Sequence, residues 1–138
     1  FKPLSIAVGH FNKDNYLDMV VANSGDDTIS VLFGYGNGSF FSQVIYSTYP
    51  NSQPYSVAVA DFNNDTMSDI IIAYYDSNDI EIRLGYDNGT FSNPKIFSGG
   101  YDVHPFAVIV EDFNSDGKMD FLKANEATDD VNIYLQTC

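Results

Sequence analysis

The sequence predicts an all-β chain of about three four-stranded, antiparallel, propeller-type blades, the last without its fourth strand. Three observations predict it. One stretch recurs every 51 residues: Phe11-Asn12, Asp14 and Asp18 return as Phe62-Asn63, Asp65 and Asp69, then as Phe113-Asn114, Asp116 and Asp120. A period of that length belongs to supersecondary units that stack on their neighbours. Each copy also opens with two nearly apolar runs, such as Val57-Ala58-Val59 and Ile70-Ile71-Ile72, the pattern of strands covered on both faces. Finally, no segment of useful length carries a helical period.

The elements follow in order within the first copy. Leu4–Val8 is apolar and β-branched and reads as the innermost strand. An Asp/Asn-rich loop over 10–18 leads to Met19-Val20-Val21-Ala22, the second strand, and Ser24-Gly25-Asp26-Asp27 turns the chain into a third over Thr28–Phe33. Tyr35-Gly36-Asn37-Gly38 is a hairpin signal, because Asn-Gly supplies the positive φ angles that a tight primed turn requires. Phe40–Ser47 is the fourth strand, and 48–53 links to Pro54. The third and fourth strands alternate polar and apolar residues, as outer strands do. The blades are expected at about 1–50, 51–101 and 102–138, with Ile6, Val8, Val20, Val57, Val59, Ile71, Val108 and Val110 in the core. Cys138 aligns with Gly36 and Asp87, so the third copy stops just before its hairpin, leaving an unpaired strand edge near Val131–Leu135.

Composition narrows the function. The chain has 138 residues, 44% of them hydrophobic with 11 Phe and 10 Tyr, enough for a packed core. Only 18% are charged and the net charge is −13. That balance excludes a disordered acidic tail and argues against nucleic acid, which needs a basic face. It argues equally against anionic membrane surfaces, and no apolar run approaches the ~20 residues of a membrane span. No signal peptide is visible, so the sequence reads as mature or excised. Cys138, the one cysteine, is a truncation point, a free thiol or an intermolecular link.

The chemistry sits in the recurring loops. Asp61, Asn63, Asp65 and Asp69 place oxygen side chains at loop positions one, three, five and nine, and the carbonyl of Met67 at position seven. Calcium takes six to eight oxygens at about 2.3–2.6 Å, and a loop wound round the ion offers alternate residues inward. Asp112, Asn114, Asp116 and Asp120, with the Lys118 carbonyl, repeat the set, and Gly117 stands where such a loop turns sharply. The first loop keeps Asn12, Asp14, Asp18 and the Tyr16 carbonyl but has His10 at position one. Imidazole is a poor calcium ligand, so that site is expected to be weaker or rearranged. The competing explanation, that Asp and Asn merely make turns, accounts for one such loop more easily than for three at identical spacing. Magnesium suits the set less well, since it keeps several waters.

These residues resemble the FG-GAP/VCBS repeat family, the calcium-binding blades of integrin α-subunit propellers and of many secreted repeat proteins. The resemblance rests on Asp61-Phe62-Asn63-Asn64-Asp65, Asp69-Ile70, Leu84-Gly85, Asn88-Gly89-Thr90-Phe91 and Phe33-Gly34, and covers essentially the whole chain. It implies a propeller blade fold, Ca2+ in the loop between the first two strands of each blade, and a secreted, extracellular role. Propellers close with more blades than this chain holds, so the chain is expected to be a piece or an assembly unit.

Three Asn-x-Ser/Thr sequons, at Asn37, Asn64 and Asn88, are candidates for N-glycosylation. Asn37 and Asn88 fall at hairpin tips, where a glycan is sterically welcome; Asn64 lies inside a metal loop. Catalysis has little support, because neither His10 nor His104 falls into a nucleophile–base arrangement. The expectation is a structural, calcium-rigidified extracellular module that associates head-to-tail with other copies of itself, as a filament or a ring. The alternative is a recognition module that binds a glycan or protein ligand.

Overall fold

The structure, a computed structural model, describes residues 1–137, and the readings of Cys138 lie outside the described residues. Eleven strands form three antiparallel sheets and the described residues contain no helix. The first sheet runs in the order β1 (Pro3–Gly9), β2 (Asp18–Asn23), β3 (Thr28–Leu32), β4 (Val44–Ser47). The second repeats it as β5 (Pro54–Ala60), β6 (Asp69–Tyr74), β7 (Asp79–Arg83), β8 (Lys95–Ser98). The third holds β9 (Pro105–Glu111), β10 (Asp120–Asn125) and β11 (Asp130–Tyr134). The expected count of four, four and three strands is the observed one. Pro3 and Pro54, which lack an N–H for the ladder, each open a strand beside a break in register.

The sheets stack through their innermost strands. In β1, Ser5, Ala7 and Gly9 face the second blade. The Ser5 hydroxyl accepts the Val57 amide at 3.1 Å, and a Cβ on Gly9 would lie 2.6 Å from Val59. The second blade repeats the arrangement toward the third, where Ser56 Oγ accepts the Val108 amide at 3.1 Å and Ala58 and Ala60 pack in the next cluster. Small residues on one blade thus receive the Val row of the next. β6 lies between two cores, with Ile70 and Ile72 in the first cluster and Ile71 and Ala73 in the second. All six of its residues are buried, as its apolar run requires.

The same geometry overturns part of the expected core. Val20, Val57, Ile71 and Val108 are buried, and Val59 and Val110 pack half-buried against the clusters. Ile6 and Val8 are instead 62% and 58% exposed. They occupy the row that in β5 faces the preceding blade, and the described chain has no blade before the first. Two local expectations also change. The fourth strand starts at Val44, not Phe40; Phe40 makes only an isolated bridge to Gly34. The hairpin is not a primed Asn-Gly turn, because Gly36 and Gly38 have positive φ (76° and 87°) while Asn37 does not. Asn37 Oδ1 accepts the Ser39 amide at 3.0 Å, holding a longer loop.

Burial on β7 departs from the outer-strand expectation. Glu81 and Arg83 are buried as an ion pair, with Tyr74 O–H donating to Glu81 at 2.8 Å and Arg83 donating to the Ser47 carbonyl of the first blade at 3.1 Å. Burial, reinforced by the Glu81 charge, holds the Tyr74 phenol far above its ordinary range.

Ile72→Ala should cost about 2–5 kcal/mol in denaturant unfolding, because it opens a cavity between two blades. Ile6→Ala should cost under about 0.5 kcal/mol in dilute protein. Equal costs would mean that the Ile6 face is covered.

Candidate metal centre

Loops two and three share one conformation. In loop two the Asp61 carboxylate accepts the amides of Asp65 and Thr66 at 3.1 and 2.7 Å. Asn63 Oδ1 accepts the Asp65 amide at 3.1 Å, and Asp65 Oδ1 accepts that of Met67 at 2.8 Å. In loop three Asp112 takes the amides of Asp116 and Gly117 at 3.1 and 2.8 Å, and Asp116 that of Lys118 at 3.0 Å. Each loop turns inward through two left-handed residues, Asn64 and Thr66 (φ 58° and 72°) or Ser115 and Gly117 (60° and 83°). The winding joins positions one, three and five in loop two, where Asp61 and Asn63 both accept the Asp65 amide.

The position-nine aspartates do something the sequence reading missed. Asp18, Asp69 and Asp120 are fully buried. Asp69 accepts the Phe62 amide at 2.8 Å and the Gly85 amide at 2.7 Å, so it ties the loop to the end of the third strand. Asp18 does the same with Phe11 and Gly34, both at 2.9 Å, and Asp120 with Phe113 at 3.1 Å and Gln136 at 2.7 Å. The approach is close. A Cβ on Gly34 would lie 2.2 Å from the Leu17 carbonyl oxygen, and one on Gly85 2.3 Å from that of Ser68. In the third blade Gln136 takes the glycine's place and donates its side-chain amide to the Phe62 carbonyl at 3.0 Å.

Comparison with known families matches this same unit. A model of the FG-GAP-like repeat matches residues 10–72 and again 61–122, so each match begins on the first residue of a loop. The chain belongs to the FG-GAP-like repeat family. No curated protein matches it significantly.

Against calcium, the three FG-GAP loops divide. Loops two and three offer only hard oxygen donors, Asp61, Asn63, Asp65, Asp69 and the Met67 carbonyl in one, Asp112, Asn114, Asp116, Asp120 and the Lys118 carbonyl in the other. Their donor sets fit the ion. Among the described residues no three His, Cys, Asp or Glu side chains are gathered closely enough to hold a metal. The amide oxygens of Asn63 and Asn114 and the backbone carbonyls would therefore have to complete each shell. Crowding registers at Asp69: burial raises its carboxyl to about 6 against the pull of the Gly85 and Phe62 amides, and the nearby Asp65 and Asp61 charges add to the rise. Loop one does not fit. It keeps Asn12, Asp14 and Asp18, but the His10 ring meets the Tyr16 carbonyl at 2.9 Å, so one expected ligand already bonds the residue at position one.

The sequons sit where sequence placed them. Asn37, Asn64 and Asn88 are all exposed, and Asn88 repeats the Asn37 geometry, accepting the Thr90 amide at 3.1 Å. A second 51-residue series escaped the sequence reading. Asp27 takes the amides of Asn51 and Gln53 at 2.8 and 2.9 Å, and Asn78 those of Val103 and His104 at 2.9 and 2.8 Å. These residues pin the links between blades, and the spacing of Asp27, Asn78 and Asp129 was the signal that could have found them.

In chelator, Asp69 sets a pH slope. The folded chain keeps a proton up to about 6 that the unfolded chain releases near 3.8, so stability should fall as pH rises between those values. Asp69→Asn should flatten that segment of a stability–pH profile; an unchanged slope would assign it to other groups.

Proposed function

We propose that this chain is an extracellular, calcium-stabilised FG-GAP repeat module with a structural, non-catalytic role that associates with copies of itself through its blade faces. The observation that carries the calcium reading is the pairing of loops two and three, which have the same oxygen side chains at the same positions and the same two left-handed turns. An ion in each cross-links carboxylates that otherwise repel, and calcium suits these sets better than magnesium. Glycans at Asn37 and Asn88 are compatible with an extracellular setting, with Asn64 a third acceptor inside a loop.

Association draws its support from uncovered surfaces. The first blade exposes Leu4, Ile6 and Val8, and the third exposes Ile109, Val131, Ile133 and Leu135. Apolar patches of this kind mark contact sites. The two faces differ, so contact between them is heterologous and closes as a ring or runs on as a filament. The seam also differs from those inside the chain. Ala107, Ile109 and Glu111 stand where Ser56, Ala58 and Ala60 stand in the second blade, so no serine hydroxyl receives the incoming amide. The contact then leans on the outer strands around Ile133.

A second reading, recognition of a glycan or protein ligand, draws on one feature. A cavity of about 640 Å3 opens between blades two and three, lined by Phe62, Phe97, Phe121, Tyr134 and Lys95 among others.

Chelation should lower the melting temperature, and excess magnesium should fail to restore it. Asp65→Ala should abolish one calcium site in a titration and leave loop three intact. A melt unchanged in EDTA would sink the calcium reading. In calcium, sedimentation should find species above the 15.3 kDa monomer, and Ile133→Lys should dissociate them. A stable monomer that binds on a glycan array would instead favour recognition.

A further inference from the structure

We infer that the first loop holds no calcium because His10 takes the ion's place in it, so that the chain binds two ions through loops two and three alone. The inference rests on the calcium reading of those two loops. A calcium ion in such a loop bridges the residue at position one to the carbonyl at position seven. Here His10 Nδ1 lies 2.9 Å from the Tyr16 carbonyl oxygen and joins the two positions directly. A carbonyl only accepts, so Nδ1 carries the proton. The N–H takes a lone pair that an ion would use, and the imidazole stands where position one would otherwise offer the ion an oxygen.

Charge and backbone point the same way. Residues 61–69 carry three carboxylates and no cation, and residues 112–120 carry three with Lys118. Residues 10–18 carry two carboxylates together with Lys13, whose ammonium is held at 2.9 Å from Asp87 of the second blade. Loop one is therefore the least attractive to a divalent cation. Its path differs too. Position four is left-handed at Asn64 and Ser115 but not at Lys13, so only the turn at Asn15 (φ 63°) is kept.

The first loop is also held from outside. The His10 amide donates to Ser68 Oγ at 2.9 Å, and the Ser68 amide donates back to the His10 carbonyl at 3.2 Å. Asn12 makes a bridge to Asn88 of the next blade. Position one of loop one is thereby fixed at its backbone by the second blade and at its side chain by its own loop, and neither attachment needs an ion.

Two measurements on the intact chain test this. Calcium counted by native mass spectrometry should give two ions per wild-type chain and three for the double variant His10→Asp/Lys13→Asn. Amide exchange in chelator should leave Phe11 and Tyr16 protected within about twofold while Thr66 and Lys118 lose about tenfold or more. His10→Ala should loosen Tyr16 equally with and without calcium. Three ions in wild type, with one lost in Asp14→Ala, would overturn the inference and leave the calcium reading standing. So would a double variant that still binds two. No ion in wild type would sink the calcium reading itself; His10→Ala in ion-free buffer then decides separately, since unaltered Tyr16 protection would show that the imidazole does not hold the loop.

Discussion

The buried aspartate that follows each loop takes two backbone amides at once, one seven residues back and one sixteen residues on. Ionised, it accepts two charge-assisted bonds, each contributing about 1.5–3 kcal/mol where both partners are buried. That bond pair fixes the entry to the second strand against the exit of the third. The sheet can then present Val and Ile to the core in the right register. It also explains the glycine after the third strand in blades one and two, where a Cβ would press on the backbone crossing beneath it. The outer hairpin and the loop between the first two strands are both hung from this one side chain.

Stacking adds a direction to the repeat. The inner strands of the first two blades offer small residues forward, and those of the second and third offer valines backward, so these blades join in one sense only. Ser5 and Ser56 finish the joint by accepting an amide of the following blade. The exposed rows at the two ends of the chain are the unmatched halves of that joint. Their different makeup, Ile6 and Val8 on one side and Ile109 and Glu111 on the other, sets any end-to-end contact apart from the seams inside.

Much of this was legible in the sequence, for reasons that can be named. The 51-residue period and the apolar runs of β5 and β6 specified blades, because a strand buried on both faces has no polar alternative. Ile6 and Val8 misled for the same reason: their pattern matches β5, but the pattern alone does not show which row of a strand another blade of the described chain covers. The recurring oxygen side chains of the loops were visible by spacing. The amide bonds of Asp18, Asp69 and Asp120 were not, because a carboxylate that binds an ion and one that binds amides leave the same letter. His10 stood out as a departure, yet only the fold shows that its ring reaches Tyr16. Glu81 and Arg83 belong to a strand whose alternation reads as outer, yet both are buried, since their bonds to Tyr74 and Ser47 are a matter of tertiary contact.

The central claim is that the position-nine aspartate organises the blade through its amide bonds, independently of any ion. Denaturant unfolding of Asp18→Asn and Asp69→Asn, in EDTA and in calcium, tests it most directly. An asparagine keeps one acceptor and turns a donor toward the other amide, so each variant should lose roughly 1.5–3 kcal/mol in EDTA. A cost that appears only in calcium would contradict the claim and leave these aspartates as ion ligands alone.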